Sequence, residues 1–241
     1  FWVLKDFQFP VYNQALKLLD TINERFVIQM PTGSGKTRTS MEFITQRFLH
    51  SNKEKILIIW LAHSEELCEQ AMECFSQVWS HVKNKELVAY RFWDKAKELP
   101  ANITCDTFIV GGFQKLHSYY KKNPKLFDNI NQYTDLIVVD EAHKLNAPTY
   151  KEVTKALMNL ESKLVGLTAT PGRSATDNIE NQQLSEIFFN KIIGLKEEKS
   201  EESIIAMLKR KKVLCRTYYE SIKTNLDFEL THHEIRHLKI F

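Results

Sequence analysis

Short apolar runs recur along the chain at Phe26 to Met30, Ile56 to Ala62, Leu87 to Phe92, Thr107 to Val110, Leu136 to Val139 and Leu164 to Leu167. Between them lie stretches in which apolar residues return at helical spacing, such as Thr37 to Leu49, Glu65 to Val78 and Tyr150 to Asn159. Near-continuous apolar strands alternating with amphipathic helices predict a mostly parallel β-sheet covered by helices on both faces, the doubly wound α/β class. Ligands of such sheets bind at the carboxyl ends of the strands, so the loops after Met30, Val139 and Leu167 are where chemistry is expected. The apolar rhythm stops after Thr170, and Pro171 to Gln183 has the Gly, Ser, Asn and Asp content of a loop. The charge cluster Glu197 to Glu202 and the basic run Lys209 to Lys212 suit solvated helix faces. We therefore place a domain edge near Leu195, with residues 1–195 as the main domain and 196–241 as an appendage.

Two of those loops carry candidate chemistry. Val27 to Thr37 runs from an apolar strand through Pro31-Thr32-Gly33-Ser34-Gly35 into a helix beginning near Lys36. A phosphate cradle needs that order: glycines admit backbone amides to the phosphates, the helix N-terminus adds positive potential, Lys36 reaches the β and γ phosphates, and the Thr37 hydroxyl ligates magnesium. The strict phosphate-loop pattern places glycine where this chain has Met30. The competing reading is a glycine turn followed by a chance Lys-Thr. The second loop follows Asp135-Leu136-Ile137-Val138-Val139, where the apolar run ends in Asp140-Glu141-Ala142-His143. An unpaired buried charge is costly, so acids directly after four apolar residues belong at a strand mouth beside a cation. Asp140 suits a magnesium ligand and Glu141 a group that orients or deprotonates an attacking water, the two pointing opposite ways along an extended backbone. Alone, such a pair is more often a solvated strand end; the phosphate loop upstream reverses that weighting.

Together these motifs resemble superfamily 2 helicases, in the DEAH-box branch that includes the motor subunits of type I and type III restriction enzymes and related DNA-repair translocases. Met30 to Thr37 looks like motif I, Leu61 to Gln70 is similar to motif Ia, and Ile109 to Leu116 looks like motif Ib. Asp140 to His143 spells DEAH, and Gly166 to Arg173 is similar to motif III. The resemblance covers roughly Tyr12 to Leu195. It implies a RecA-like P-loop fold that binds and hydrolyses ATP with Mg, with Thr32, Gly33, Ser34, Gly35, Lys36, Thr37 and Arg38 around the nucleotide. His143, Thr168 and Thr170 would couple that site to nucleic acid. His63, Ser64, Gly112 and Gln114 are the candidate contacts to the phosphodiester backbone, contacts that position a strand without reading its bases. Ser64 is equally the expected N-cap of the helix that follows. A Tyr-Gln pair before motif I contacts adenine in relatives, and either Tyr12 or Gln14 fits that place.

The resemblance also implies an absent partner. Motifs IV, V and VI, whose arginines reach the γ-phosphate from a second RecA-like lobe, have no counterpart after Leu195. Residues 196–241 are therefore expected to connect to that lobe, the protein to continue beyond Phe241, and this lobe alone to hydrolyse ATP poorly. DNA is preferred to RNA as partner, and the alternative to a motor is an ATP-dependent nucleic-acid sensor or switch.

Composition alters this little. Of 241 residues, 43% are hydrophobic and 26% charged, and the net charge of +3 permits a polyanionic partner without demanding one. No apolar run approaches the ~20 residues that cross a bilayer. Cys68, Cys74, Cys105 and Cys215 show no paired spacing, which suits a reducing cytoplasmic or nuclear setting. His232, His233 and His237 lack the further ligands of a metal set. Trp60, Trp79, Trp93, Phe7 and Phe9 could stack on bases, but Trp60 lies within a buried run and Trp79 follows the helical spacing of Phe75, which makes both core residues.

Overall fold

In the computed structural model, which describes residues 4–82, 85–96, 98–169, 186–195 and 203–215, all six apolar runs are strands and a seventh joins them. The strands are β1 (Arg25–Gln29), β2 (Leu57–Ala62), β3 (Val88–Phe92), β4 (Thr107–Gly112), β5 (Thr134–Val139), β6 (Lys163–Thr168) and β7 (Ile192–Gly194). They form one sheet in the order β3-β4-β2-β5-β6-β1-β7, and every pairing is parallel. The doubly wound class expected from the apolar pattern is the one observed.

The sheet separates two cores because side chains alternate along each strand. Ile58, Trp60 and Ala62 of β2 join one core, with Phe26, Ile28, Phe108, Val110, Leu136 and Val138. Leu57, Ile59 and Leu61 join the other, with Ile109, Ile137, Val139 and Leu164. Helices α1 (Phe9–Leu19), α2 (Lys36–His50), α3 (Glu65–Trp79) and α7 (Ile204–Arg210) supply the first core. Helices α4 (Phe113–Lys122), α5 (Pro124–Asn131) and α6 (Pro148–Leu157), with a 3₁₀ turn at Ala142–Asn146, supply the second. Each buried face repeats at helical spacing, as with Val11, Ala15 and Leu19 of α1. Trp60 is fully buried, and Trp79 packs on Phe48 and Phe75 with ring centroids 5.8 and 5.6 Å away, so both are core residues as their positions suggest.

One buried ion cluster ties α2 to the sheet. The Asp135 carboxylate, wholly buried at the start of β5, accepts from Arg47 Nε at 2.6 Å, Arg47 Nη2 at 2.9 Å and Lys163 Nζ at 3.1 Å. Burial alone would raise its pKa, but the Arg47 hydrogen bonds and the two cations hold it below the ordinary carboxylate value.

Strand β7 is the element the apolar pattern does not reveal. It has three residues, pairs only with β1 among the described residues, and is exposed or half-buried throughout. Helix α7, within the stretch read as an appendage, buries Met207 and Leu208 in the same core as Phe7 and Met30. Thr170, the loop Pro171 to Gln183, the charge cluster Glu197 to Glu202 and the histidines 232, 233 and 237 lie outside the described residues.

Candidate nucleotide site and nucleic-acid interface

The strand order brings the two candidate loops together. β6 lies between β1 and β5, so the loop after β1, Thr168 at the end of β6 and Asp140 after β5 share one carboxyl edge. Met30 N donates to Thr168 O at 3.1 Å, and Asp140 N donates to Leu61 O at 2.8 Å, which fixes both loops against neighbouring strands.

Gly33 and Gly35 have φ of +77° and +88°, values that only glycine adopts without strain. A Cβ on Gly35 would overlap the Gln8 amide, and one on Gly33 would stand 3.2 Å from Leu214. Ser34 is buried, its Oγ donating to Pro31 O at 2.6 Å, while Thr32 and Gly33 are exposed. Gly35 caps α2, whose first residues are Lys36 and Thr37, so the amides of the first helical turn open onto the loop. Lys36 Nζ donates to Met30 O at 3.0 Å. Burial lowers the Lys36 pKa, against the pull of Glu141 and Asp140. A triphosphate would supply the compensating charge. This cradle, with its glycines, helix N-terminus and lysine, fits a nucleotide phosphate chain.

Asp140 is buried, and burial together with neighbouring Glu141 raises its pKa from the ordinary 3.8 to about 6. Glu141 sits in the left-handed region at φ 53°, ψ 58°, a strained place for a non-glycine residue, and its amide donates to Asp140 Oδ1 at 3.0 Å. Asp140 is buried, whereas the Glu141 carboxylate is half-exposed and stands 3.3 Å from His143 Nδ1. Thr37 and Asp140 could hold a divalent cation jointly with phosphate oxygens. No group of three or more His, Cys, Asp or Glu among the described residues could hold a metal unaided.

Three further expected nucleotide contacts lie on α1 and α2. Arg38 is paired with Glu42 one turn along α2, Nη2 to Oε1 at 2.8 Å. Tyr12 packs edge-on to Phe9 with centroids 6.5 Å apart, and burial and Glu42 raise its pKa. Gln14 is half-buried on α1. A residue outside the expected set, Gln8, reaches the loop. Its Nε2 donates to Ser34 O at 3.1 Å and Gly35 O at 3.4 Å, and its Oε1 accepts from Lys5 N at 2.8 Å. The one sequence signal was its place immediately before Phe9-Pro10, where α1 begins.

The four candidate nucleic-acid contacts do meet. His63, Ser64, Gly112 and Gln114 line a cavity of about 420 Å³, together with Trp93, Lys115 and the acids Glu65 and Asp94. It forms because β2 and β4 are neighbours in register, Ala62 opposite Gly112, so that two helices start side by side. Ser64 caps α3, its Oγ accepting from Leu67 N at 3.4 Å, and Gly112 precedes α4. Two helix N-termini on one cavity suit phosphate oxygens. Gln114 Nε2 donates to Tyr150 OH at 3.1 Å, and Tyr150 stacks on Phe113 with centroids 4.0 Å apart. His63 Nδ1 is buried without a hydrogen-bond partner among the described residues, and burial and Lys144 lower the His63 pKa. Lys115, which lies within the motif Ib run, and Trp93, from the sequence a candidate only for base stacking, also stand in this cavity.

Comparison with known proteins agrees with this geometry. The family described as "Type III restriction enzyme, res subunit" matches residues 2–173. A curated relative, the type I restriction enzyme EcoAI endonuclease subunit of Escherichia coli, is 28% identical over 166 residues, covering 68% of this chain and 19% of its own length. The Hef helicase domain of Pyrococcus furiosus superposes with a TM-score of 0.54 at 18% identity, over 82% of this chain and 39% of that one. A nuclease-deletion mutant of the type ISP restriction-modification enzyme LlaGI, solved with a DNA substrate mimic, gives 0.57 at 14% identity, over 88% and 21%. The chain thus spans a minor part of each. With the matched stretch covering well over half of the chain, from before α1 through the end of β6, the chain belongs to the type III restriction enzyme res subunit family, a helicase family with a RecA-like fold.

Proposed function

We propose that this chain is the first ATP-hydrolysing lobe of a nucleic-acid motor acting on DNA. The observation that carries the reading is the convergence, on one carboxyl edge of the sheet, of the positive-φ glycine loop with Lys36 and the Asp140-Glu141 pair, next to a cavity faced by two helix N-termini. The loop amides and the Lys36 ammonium bind and orient the β and γ phosphates. Thr37 and Asp140 would hold a magnesium ion there, which would supply charge neutralisation on those phosphates. Glu141 orients the attacking water and accepts its proton. His143, whose Nδ1 stands 3.3 Å from the Glu141 carboxylate, and Thr168, at the end of the strand between the two loops, relay occupancy toward the nucleic-acid cavity, with Thr170 a further residue of that relay. The Gln8 turn receives the base.

Contacts through helix N-termini and small polar groups hold a phosphodiester strand without reading its sequence, as a translocating lobe requires. A second RecA-like lobe, reached through residues 196–241, would add arginines worth about 10³ to 10⁵ in rate in other phosphoryl-transfer enzymes. DNA is preferred to RNA because the curated relative is a type I restriction enzyme endonuclease subunit and the structurally similar LlaGI enzyme was solved with a DNA substrate mimic. Displacement of a third strand from a DNA triplex by the full-length protein tests the motor directly. ATP-dependent displacement is the expected result. Hydrolysis stimulated by DNA with no displacement would instead identify an ATP-dependent switch.

A further inference from the structure

The chain end of the described structure returns to the phosphate loop. Helix α7 anchors itself by burying Met207 and Leu208 in the main core. The chain then reverses at Lys212, which takes φ 56°, and Val213 N and Leu214 N both donate to Leu208 O, at 2.9 and 3.3 Å. This turn directs the strap 211–214 back across the site, so that the Leu214 methyl stands 3.2 Å from where a Cβ on Gly33 would be. A cavity of about 390 Å³ lies between the strap and the N-terminal segment, lined by Lys5, Asp6, Phe7, Lys211 and Val213. Both walls lead to the phosphate loop: Phe7 precedes Gln8, which bonds Ser34 O and Gly35 O, and Val213 precedes Leu214 on Gly33.

The geometry points to the strap as one wall of the nucleobase slot, with Val213 facing the base across from the Lys5–Phe7 segment. This rests on the nucleotide reading of the loop. The chemistry suits a flat heteroaromatic ring: apolar surface from Phe7 and Val213, charged groups of both signs at Lys5, Asp6 and Lys211, and a volume in the range of small-molecule sites. Phosphate would be read by the loop and base by the strap. Nucleotide occupancy is thereby tied to the chain that leaves this lobe, because a base in the slot braces the strap on its far side.

Two measurements on the full-length protein test this. Binding of Mg-ATP and of Mg-tripolyphosphate, which has no base, is compared for wild type and Val213→Asp. The substitution sets a carboxylate against the base, so the ATP Kd should rise about tenfold or more while the tripolyphosphate Kd stays within about twofold. Alkylation of Cys215, exposed at the end of the strap, should also be slowed in the wild type by ATP and not by tripolyphosphate. Unchanged ATP affinity, or equal loss of both ligands with equal protection of Cys215, would overturn the strap's role as a base wall. Failure of the wild type to bind either ligand would overturn the nucleotide reading itself.

Discussion

A glutamate held in the left-handed region and an aspartate buried with a raised pKa are both unfavourable to the fold, and they are adjacent. At Asp140 the cost can be measured. Its folded-state pKa of about 6 lies above the ordinary 3.8, so ionisation opposes folding: the penalty is absent below about pH 4, grows between the two values and is complete above about 6. We expect Asp140→Asn to stabilise the ligand-free protein at pH 7.5 by roughly 1–3 kcal/mol and to have almost no effect at pH 4. Chemical denaturation at the two pH values checks this, and a destabilised variant at pH 7.5 would contradict it. The same substitution should abolish magnesium-dependent nucleotide binding, since Asn lacks the charge. Residues of this kind were legible in the sequence because each chemical type stands at a motif position, and Lys36 lies within electrostatic reach of both Asp140 and Glu141. Gln8 was not legible, because its role exists only through hydrogen bonds to residues 26 and 27 positions away.

Among the elements, the central strands announced themselves by burial on both faces, which forces a near-continuous apolar sequence. Edge strand β7 is free of that demand and carries no such signal. The short helices α4 and α5 were equally obscure, eight to ten residues with Pro124 starting the second directly after the first. Nor could the joint between α2, β5 and β6 be read, since Arg47 and Asp135 are 88 residues apart. That joint should matter to stability. Removing the carboxylate in Asp135→Ala leaves Arg47 and Lys163 half-buried to buried without their acceptor, and should cost about 3–5 kcal/mol. Because the folded-state pKa of Asp135 is depressed, its contribution is present at neutral pH and is lost as the pH falls through that value. A loss at pH 7 that persists undiminished well below the ordinary carboxylate range would show that packing, not charge, is what the substitution removed.

At the scale of the whole molecule, the nucleotide cradle and the nucleic-acid cavity are two loop clusters on one carboxyl edge. They are joined through β2, whose Leu61 holds Asp140 N and whose next residues, Ala62 to Ser64, open the cavity. On the proposed function, a γ-phosphate that reorients Glu141 or His143 would act a short way along the same edge from a bound strand, which is the coupling a motor requires. The most direct test of that coupling is steady-state ATP hydrolysis by the full-length protein with and without DNA, using Glu141→Gln as the control. Hydrolysis that rises with DNA and disappears in Glu141→Gln is the result this account predicts; a folded, ATP-binding protein that hydrolyses nothing, with or without DNA, would contradict it.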